Sequence, residues 1–340
     1  MASTEPIRID FKHHQTAHCE SGVTSNLLRH QNIPISEAMA FGIGGGLFFG
    51  HFSFVKLNYI PLTSYRHFPG KVFNTVTRRL GVKIRKQKFS DQQEAMDTVD
   101  RLLEQNIPVG VQAGAYWLPY FPSAYRFHFN GHNMVIFGKS NGSYLISDPN
   151  FEQPVTCGYD DLKRARFSKG AMAPKGRLYY PVSIPEQVDL RGPIIKGINE
   201  VSFNMLRIPI PFLGVKGIRY LANKMRQWPL KMDEKNAVLH LGQVIRMQEE
   251  IGTGGAGFRF IFASFLQEAS AELGNSQLFE ISHEVTAVGD RWREFALLGS
   301  RLCKNRDASG ITYDALSDIL KDCADREESI FKKLAALRLK

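Results

Sequence analysis

The sequence predicts an α+β domain followed by an all-α domain. Up to about residue 183, short apolar runs alternate with turn formers. Within that stretch, Met134–Phe137 and Tyr144–Ser147 flank Gly138-Lys-Ser-Asn-Gly142, the pattern of a β-hairpin. After it, strand signals nearly vanish and four long amphipathic segments follow.

Taken in order, Glu20–Arg29 follows a short polar lead and reads as a helix. Gly42–Gly46 precedes Leu47-Phe-Phe49, and its glycines permit close backbone approach by packing or by substrate. Asp91–Gln105 carries Ala95, Met96, Val99, Leu102 and Leu103 at helical spacing, with Ser90 as the expected N-cap and Gln93 and Glu94 in the first turn. Ile107–Gln112 reads as a strand before the hairpin. Ile184–Leu190 suits a linker, so the expected domains are 1–183 and 184–340. In the second, Asn236–Ile251, Phe258–Leu273, Phe279–Cys303 and Tyr313–Leu337 read as bundle helices. Ser202–Tyr220, with Pro209 and Pro211, is apolar but has no assignable period.

The 340 residues are enough for two domains, and 43% hydrophobic with 22% charged residues excludes wholesale disorder. Four scattered cysteines (Cys19, Cys157, Cys303, Cys323) exclude a disulfide framework and a paired-cysteine zinc site. The segment Met1–Phe11 holds Glu5 and Asp10 and no apolar run of secretory type. Ala38–Val55 is uncharged but carries five glycines and His51, which suits a buried segment better than a membrane span. The expected compartment is the cytoplasm. A net charge of +10 calls for an acidic partner, whether nucleic acid, membrane surface or protein.

Three residues carry the chemistry. Cys19 stands where a helix begins, a placement that favours thiolate and offers backbone N–H groups to an oxyanion. His132 enters the first hairpin strand, and Asp148, in Ser147-Asp-Pro149, closes the second. An antiparallel hairpin brings both to the same end, where the Asp can orient the imidazole and its other nitrogen can face a thiol.

This order of Cys on a helix, His on a strand and Asp after the next strand resembles the papain-like cysteine-peptidase fold, in particular its bacteriocin-leader peptidase branch. More closely, His18-Cys-Glu-Ser-Gly22, Phe41-Gly-Ile-Gly-Gly-Gly-Leu-Phe-Phe-Gly50 and Gly131-His-Asn133 resemble the butirosin-biosynthesis BtrH family. Gly252-Thr-Gly-Gly-Ala-Gly-Phe-Arg-Phe260 and Phe265-Leu-Gln-Glu-Ala269 are similar to the helical domain that accompanies it. The resemblance implies acyl transfer from the phosphopantetheine thioester of an acyl carrier protein to the amine of a small-molecule acceptor, with no cofactor bound to the enzyme itself. Cys19 would be acylated, His132 would serve as base and then acid, and Asp148 would orient His132. Papain-like peptidases usually place an oxyanion-binding Gln six residues before the Cys. Here that position is His13, with Gln15 four before, and His13, Gln15 and the Cys19 backbone N–H all stay open as donors. A thiol peptidase or amidase and an inactive binding scaffold are the alternatives.

Further candidates surround this core. Gly45 and Gly46 could admit substrate or only packing; Tyr116 and Trp117 lie in an aromatic run, Tyr116–Tyr125, placed to line a groove. Glu20 could meet a substrate amine or cap its helix. Gly252, Gly254 and Gly257 satisfy G-x-G-x-x-G, but a helix precedes them, so a dinucleotide is excluded; Arg259 at the next helix start could meet a phosphate. His13, His14 and His18 lack zinc-site spacing, and no metal is expected. The helical domain could serve as a homodimer surface or a lid.

The charge is unevenly spread. Residues 1–183 carry 21 basic and 13 acidic side chains, and residues 184–340 carry 22 and 20. The excess gathers in Arg78–Lys88 and Lys163–Arg177. No nucleic-acid motif accompanies these runs, so an acidic carrier protein is the expected partner rather than nucleic acid or membrane.

Overall fold

The computed structural model describes residues 6–57, 59–123, 126–306 and 310–339. Met1–Glu5, and Tyr125 at the end of the aromatic run, lie outside the described residues. The strands are β1 (Ile7–Arg8), β2 (Leu47–Leu57), β3 (Ile60–Arg66), β4 (Lys83–Gln87), β5 (Val109–Ala113), β6 (His132–Ser140), β7 (Ser143–Ser147), β8 (Val155–Gly158) and β9 (Leu178–Ser183). The helices of the first half are α1 (Cys19–His30), α2 (Glu37–Ile43), α3 (Lys71–Arg79), α4 (Gln92–Glu104) and α5 (Tyr159–Arg166). Those of the second half are α6 (Arg191–Leu206), α7 (Gly214–Arg226), α8 (Trp228–Lys231), α9 (Glu234–Glu249), α10 (Arg259–Leu273), α11 (Ser276–Cys303) and α12 (Tyr313–Ala336). The α+β then all-α order expected from the sequence is the order observed. Among the described residues, no helix is long and apolar enough to cross a membrane.

Two compact units form, and they are not contiguous in sequence: residues 1–40 with 72–188, and residues 41–71 with 189–340. The sequence reading kept residues 1–183 together, whereas the hairpin β2–β3 groups with the helices. Nothing in the local pattern of that hairpin reveals its packing partners.

The first unit is built on an antiparallel sheet in the order β4-β9-β5-β6-β7-β8, with β1 also pairing with β6. Central β5 and β6 read as continuous apolar runs because both of their faces are covered. Val23 and Leu27 of α1 and Met96, Val99 and Leu103 of α4 join Val109, Val111, Met134 and Ile136 in one buried core. The hairpin turn is shorter than expected. Asn141 and Gly142 alone form it, both at positive φ (50° and 74°), the signature of a two-residue turn matched to strand twist. Gly138 lies within β6, where the register shifts by one residue between Ile136 and Gly138. Helix α4 is capped by Asp91 rather than Ser90: its Oδ1 accepts from the Glu94 N–H at 2.7 Å.

In the second unit, the unassigned Ser202–Tyr220 resolves into the end of α6, a Pro-containing loop and the start of α7. Gly42, Gly45 and Gly46 answer to packing. A side chain at Gly42 would sit 2.0 Å from the Phe265 ring, one at Gly46 would strike Phe41, and one at Gly45, at φ 61°, would strike Glu200.

Candidate active site

Helix α1 starts at Cys19 because the preceding loop is fixed from two sides. His18 is the N-cap; its Nδ1 accepts from the Ser21 N–H and sits 2.8 Å from the Ser21 hydroxyl. Glu37, at the start of α2, takes the Ala17 N–H at 2.9 Å, the His18 N–H at 2.6 Å and the Ser21 hydroxyl at 3.2 Å. Burial pushes the Glu37 carboxyl up from its ordinary range, and these donors oppose that shift.

His132 and Asp148 meet as the hairpin geometry requires. Nε2 of His132 lies 2.6 Å from Oδ2 of Asp148, with His132 3% exposed and Asp148 fully buried. Asp148 also accepts from the Tyr120 hydroxyl at 3.0 Å and, through Oδ1, from the Asn150 N–H at 3.1 Å. Burial and the adjacent carboxylate push the Tyr120 phenol far up, so it stays a donor. The Phe121 ring meets the imidazole edge-on at 5.2 Å.

For His132 itself, burial lowers the pKa, but the charge and hydrogen bond of Asp148, joined by the hydrogen bond and charge of Cys19, raise it to about 10. With Nε2 committed to Asp148, the imidazole offers Nδ1 to the cysteine. Cys19 is 8% exposed. A third side chain approaches its sulfur: Asn133 Nδ2 stands 4.0 Å from Sγ, while Asn133 Oδ1 accepts from the Tyr179 hydroxyl at 2.8 Å.

The remaining candidates separate. His13 has both ring nitrogens engaged, Nδ1 with the Ser147 hydroxyl at 2.7 Å and Nε2 with the Phe151 carbonyl at 2.9 Å. It braces the chain beside Asp148 and has no nitrogen left for an oxyanion. Gln15 is exposed. Glu20 is 1% exposed and accepts from the Val72 and Phe73 N–H groups at 2.9 and 3.3 Å, so it caps α3 rather than its own helix or a substrate. Tyr116 stacks on His128 at 4.1 Å and Trp117 lies under Arg164, whereas the aromatic run reaches Asp148 and His132 through Tyr120 and Phe121.

Gly45, Gly46 and Arg259 belong to the second unit. Arg259 is 1% exposed; it holds Glu327 at 2.9 and 3.0 Å and the Gly257 carbonyl at 2.8 Å, against the Trp292 ring. Its guanidinium is committed to this buried pair, which corrects the reading of it as a phosphate contact. The sequence marks Tyr120 only as part of the aromatic run and Asn133 only by its position directly after His132, while Glu37 and Tyr179 carry no local signal.

A helix-borne Cys, a strand-borne His and a buried Asp one residue past the next strand make up the arrangement of a papain-like cysteine enzyme. Residues 18–149 match the family model described as butirosin biosynthesis protein H, N-terminal, and residues 160–334 match that described as domain of unknown function DUF4872. The latter match spans half of the chain. The chain belongs to this BtrH-type family. Among solved structures, a chain described as a C39-like peptidase from Bacillus anthracis is similar at 14% identity and a TM-score of 0.37, over 53% of this chain and 100% of that one; no assignment rests on that likeness. No curated protein matches the chain.

Proposed function

We propose that this protein is a cysteine-dependent acyltransferase that takes an acyl group from a carrier-borne phosphopantetheine thioester and gives it to an amine. The observation that carries the reading is the buried Cys19, His132 and Asp148 cluster, with His132 held as an imidazolium across neutral pH by Asp148. In the first half-reaction Cys19 Sγ attacks the thioester carbonyl. The bond from that carbonyl to the pantetheine sulfur breaks, and the leaving sulfur takes the proton of His132. In the second, the amine attacks the acyl-Cys19 carbonyl, neutral His132 accepts the amine proton, and Cys19 leaves as thiolate, restoring the starting pair. Exchange of one thioester for another is nearly balanced in energy, so the intermediate forms readily.

Two further observations support the carrier and the acceptor. Strand β4 is an edge strand, and Lys71–Ser90 contains no acidic residue while Arg78, Lys83, Arg85, Lys86 and Lys88 are exposed. Lys86 is the register partner of Tyr179, whose hydroxyl holds Asn133 beside Cys19. An acidic carrier docked on this edge would lie one strand from the strand that anchors the thiol pocket. The burial of Cys19, His132 and Asp148 limits water, which favours an amine over hydrolysis. The description of the matching model as a biosynthesis protein agrees with an acceptor that is a small molecule.

The test is partitioning. Protein preloaded from octanoyl-pantetheine is freed of donor and mixed with a panel of small primary amines. Octanoyl amide is the expected product. Release of free octanoic acid alone, at a rate no amine changes, overturns transfer in favour of the amidase reading.

A further inference from the structure

We infer that Asn133 is a catalytic residue, its side-chain amide being the donor that binds the oxyanion formed when Cys19 attacks, with Tyr179 as its positioning residue. The inference rests on the acyl-transfer reading above and names a part of the same site.

The site needs such a donor, and its expected side-chain sources are occupied or exposed to solvent. The position six residues before Cys19 holds His13, whose two nitrogens are spent on Ser147 and Phe151. Gln15 faces solvent. The backbone N–H of Cys19, at the first position of α1, supplies one donor, and tetrahedral oxyanions are usually held by two.

Asn133 meets the requirements of the second. It is 7% exposed, next to His132 at the start of β6. A side-chain amide could present either its oxygen or its nitrogen to the sulfur, and the surrounding bonds decide which. Burial holds the Tyr179 phenol far above its ordinary range, so Tyr179 is a donor and Oδ1 of Asn133 must accept from it at 2.8 Å. Nδ2 is thereby turned to Cys19; one of its hydrogens goes to the Gly131 carbonyl at 3.0 Å, and the other points along the 4.0 Å line to Sγ. That distance is too long for a strong bond to the sulfur itself. It leaves space for one atom attached to the carbon that Sγ attacks, and donors act on such an oxyanion at about 2.7–3.1 Å.

When Sγ bonds to the thioester carbon, the carbonyl π pair moves to its oxygen, and the Asn133 and Cys19 N–H groups take up that charge. When the pantetheine sulfur leaves, the pair returns to re-form the carbonyl. Asn133 gives up no proton in either step.

The experiment compares two reactions of the same thiol. Acylation of Cys19 by octanoyl-pantetheine passes through an oxyanion, and alkylation by iodoacetamide does not. Asn133→Ala is expected to slow acylation about 10²–10³-fold while changing the alkylation rate less than about threefold. Tyr179→Phe, which keeps the ring and removes only the hydroxyl, is expected to show the same selectivity at smaller size. Unchanged acylation in either folded variant overturns the inference. So does a parallel fall in both rates, which would assign Asn133 to the thiolate or to structure. If Asn133→Ala does not fold, Tyr179→Phe decides alone. Failure of the wild-type protein to acylate would instead sink the acyl-transfer reading itself.

Discussion

Oδ2 of Asp148 sits 2.6 Å from Nε2 of His132 and 3.0 Å from the Tyr120 hydroxyl, with the carboxylate wholly shielded from solvent. A buried carboxylate held by two side chains and a backbone N–H is fixed in position. The imidazole next to it therefore keeps its proton far into the alkaline range.

Asp148→Asn removes the larger of the two raising causes, so burial, which lowers the His132 pKa, is opposed only by the hydrogen bond and charge of Cys19. In the wild type the imidazolium is present at neutral pH and is lost as pH rises through about 10. The variant should therefore lose acylation on an alkaline limb displaced to lower pH, with the plateau rate down roughly 10²–10⁴-fold. The same linkage acts on stability. A raised histidine pKa stabilises the fold fully below the unfolded value near 6.5, and that contribution fades as pH climbs through about 10. The Tm gap between wild type and variant should thus be widest below pH 6.5 and narrow toward pH 10. Superimposable pH–rate profiles would contradict the assignment.

Glu37→Ala strips three donors of their acceptor at the entry to α1: the N–H groups of Ala17 and His18 and the hydroxyl of Ser21. A loss of about 2–3 kcal/mol is expected in urea unfolding. Slower acylation should accompany it in the folded protein, because Cys19 begins the turn that this loop sets. A change within 0.5 kcal/mol, about the effect of an ordinary surface substitution, would show that the loop holds without it.

Reversing Lys83, Arg85 and Lys86 to Glu tests the carrier edge. These side chains are exposed on an edge strand, so the fold should tolerate the change. KM for an acyl group on an acidic carrier protein should rise at least about tenfold, and its salt dependence should flatten. KM for octanoyl-pantetheine should stay unchanged. Equal effects on both donors would exclude this edge as the docking surface.

Arg259→Met leaves Glu327 buried without its counter-ion, which typically costs about 3–5 kcal/mol. The expected outcome is a strongly lowered Tm with an unaltered KM for octanoyl-pantetheine in the protein that remains folded at low temperature. A raised KM with full stability would restore Arg259 as a phosphate contact.

How much of this was legible in the sequence depended on how local the determinants are. The 3.6-residue spacing of Ala95, Met96, Val99, Leu102 and Leu103 marks α4 to within a residue at each end, and the four long bundle helices are marked to within three. The hairpin pattern alone brings His132 and Asp148 to the same end. Its turn is shorter than the run of turn formers suggests because Gly138 continues β6 through a bulge, a feature set by cross-strand register. Helices α6 and α7 were hidden by Pro209 and Pro211, which lie in the loop between them. Glu37, Tyr120 and Tyr179 act on residues 19, 28 and 46 positions away, and no spacing rule reports such partners. Glu20 shows the opposite failure: beside the nucleophile in sequence, it turns away to cap α3.

On the proposed mechanism, Cys19 is the residue that becomes acylated. Intact-mass and peptide mapping after incubation with octanoyl-pantetheine, on wild type and on Cys19→Ala, tests it most directly. One octanoyl group is expected, located on Cys19, absent from Cys19→Ala and discharged by an amine. An adduct on Cys157, Cys303 or Cys323 that persists in Cys19→Ala, or no adduct on the wild type at all, would contradict it.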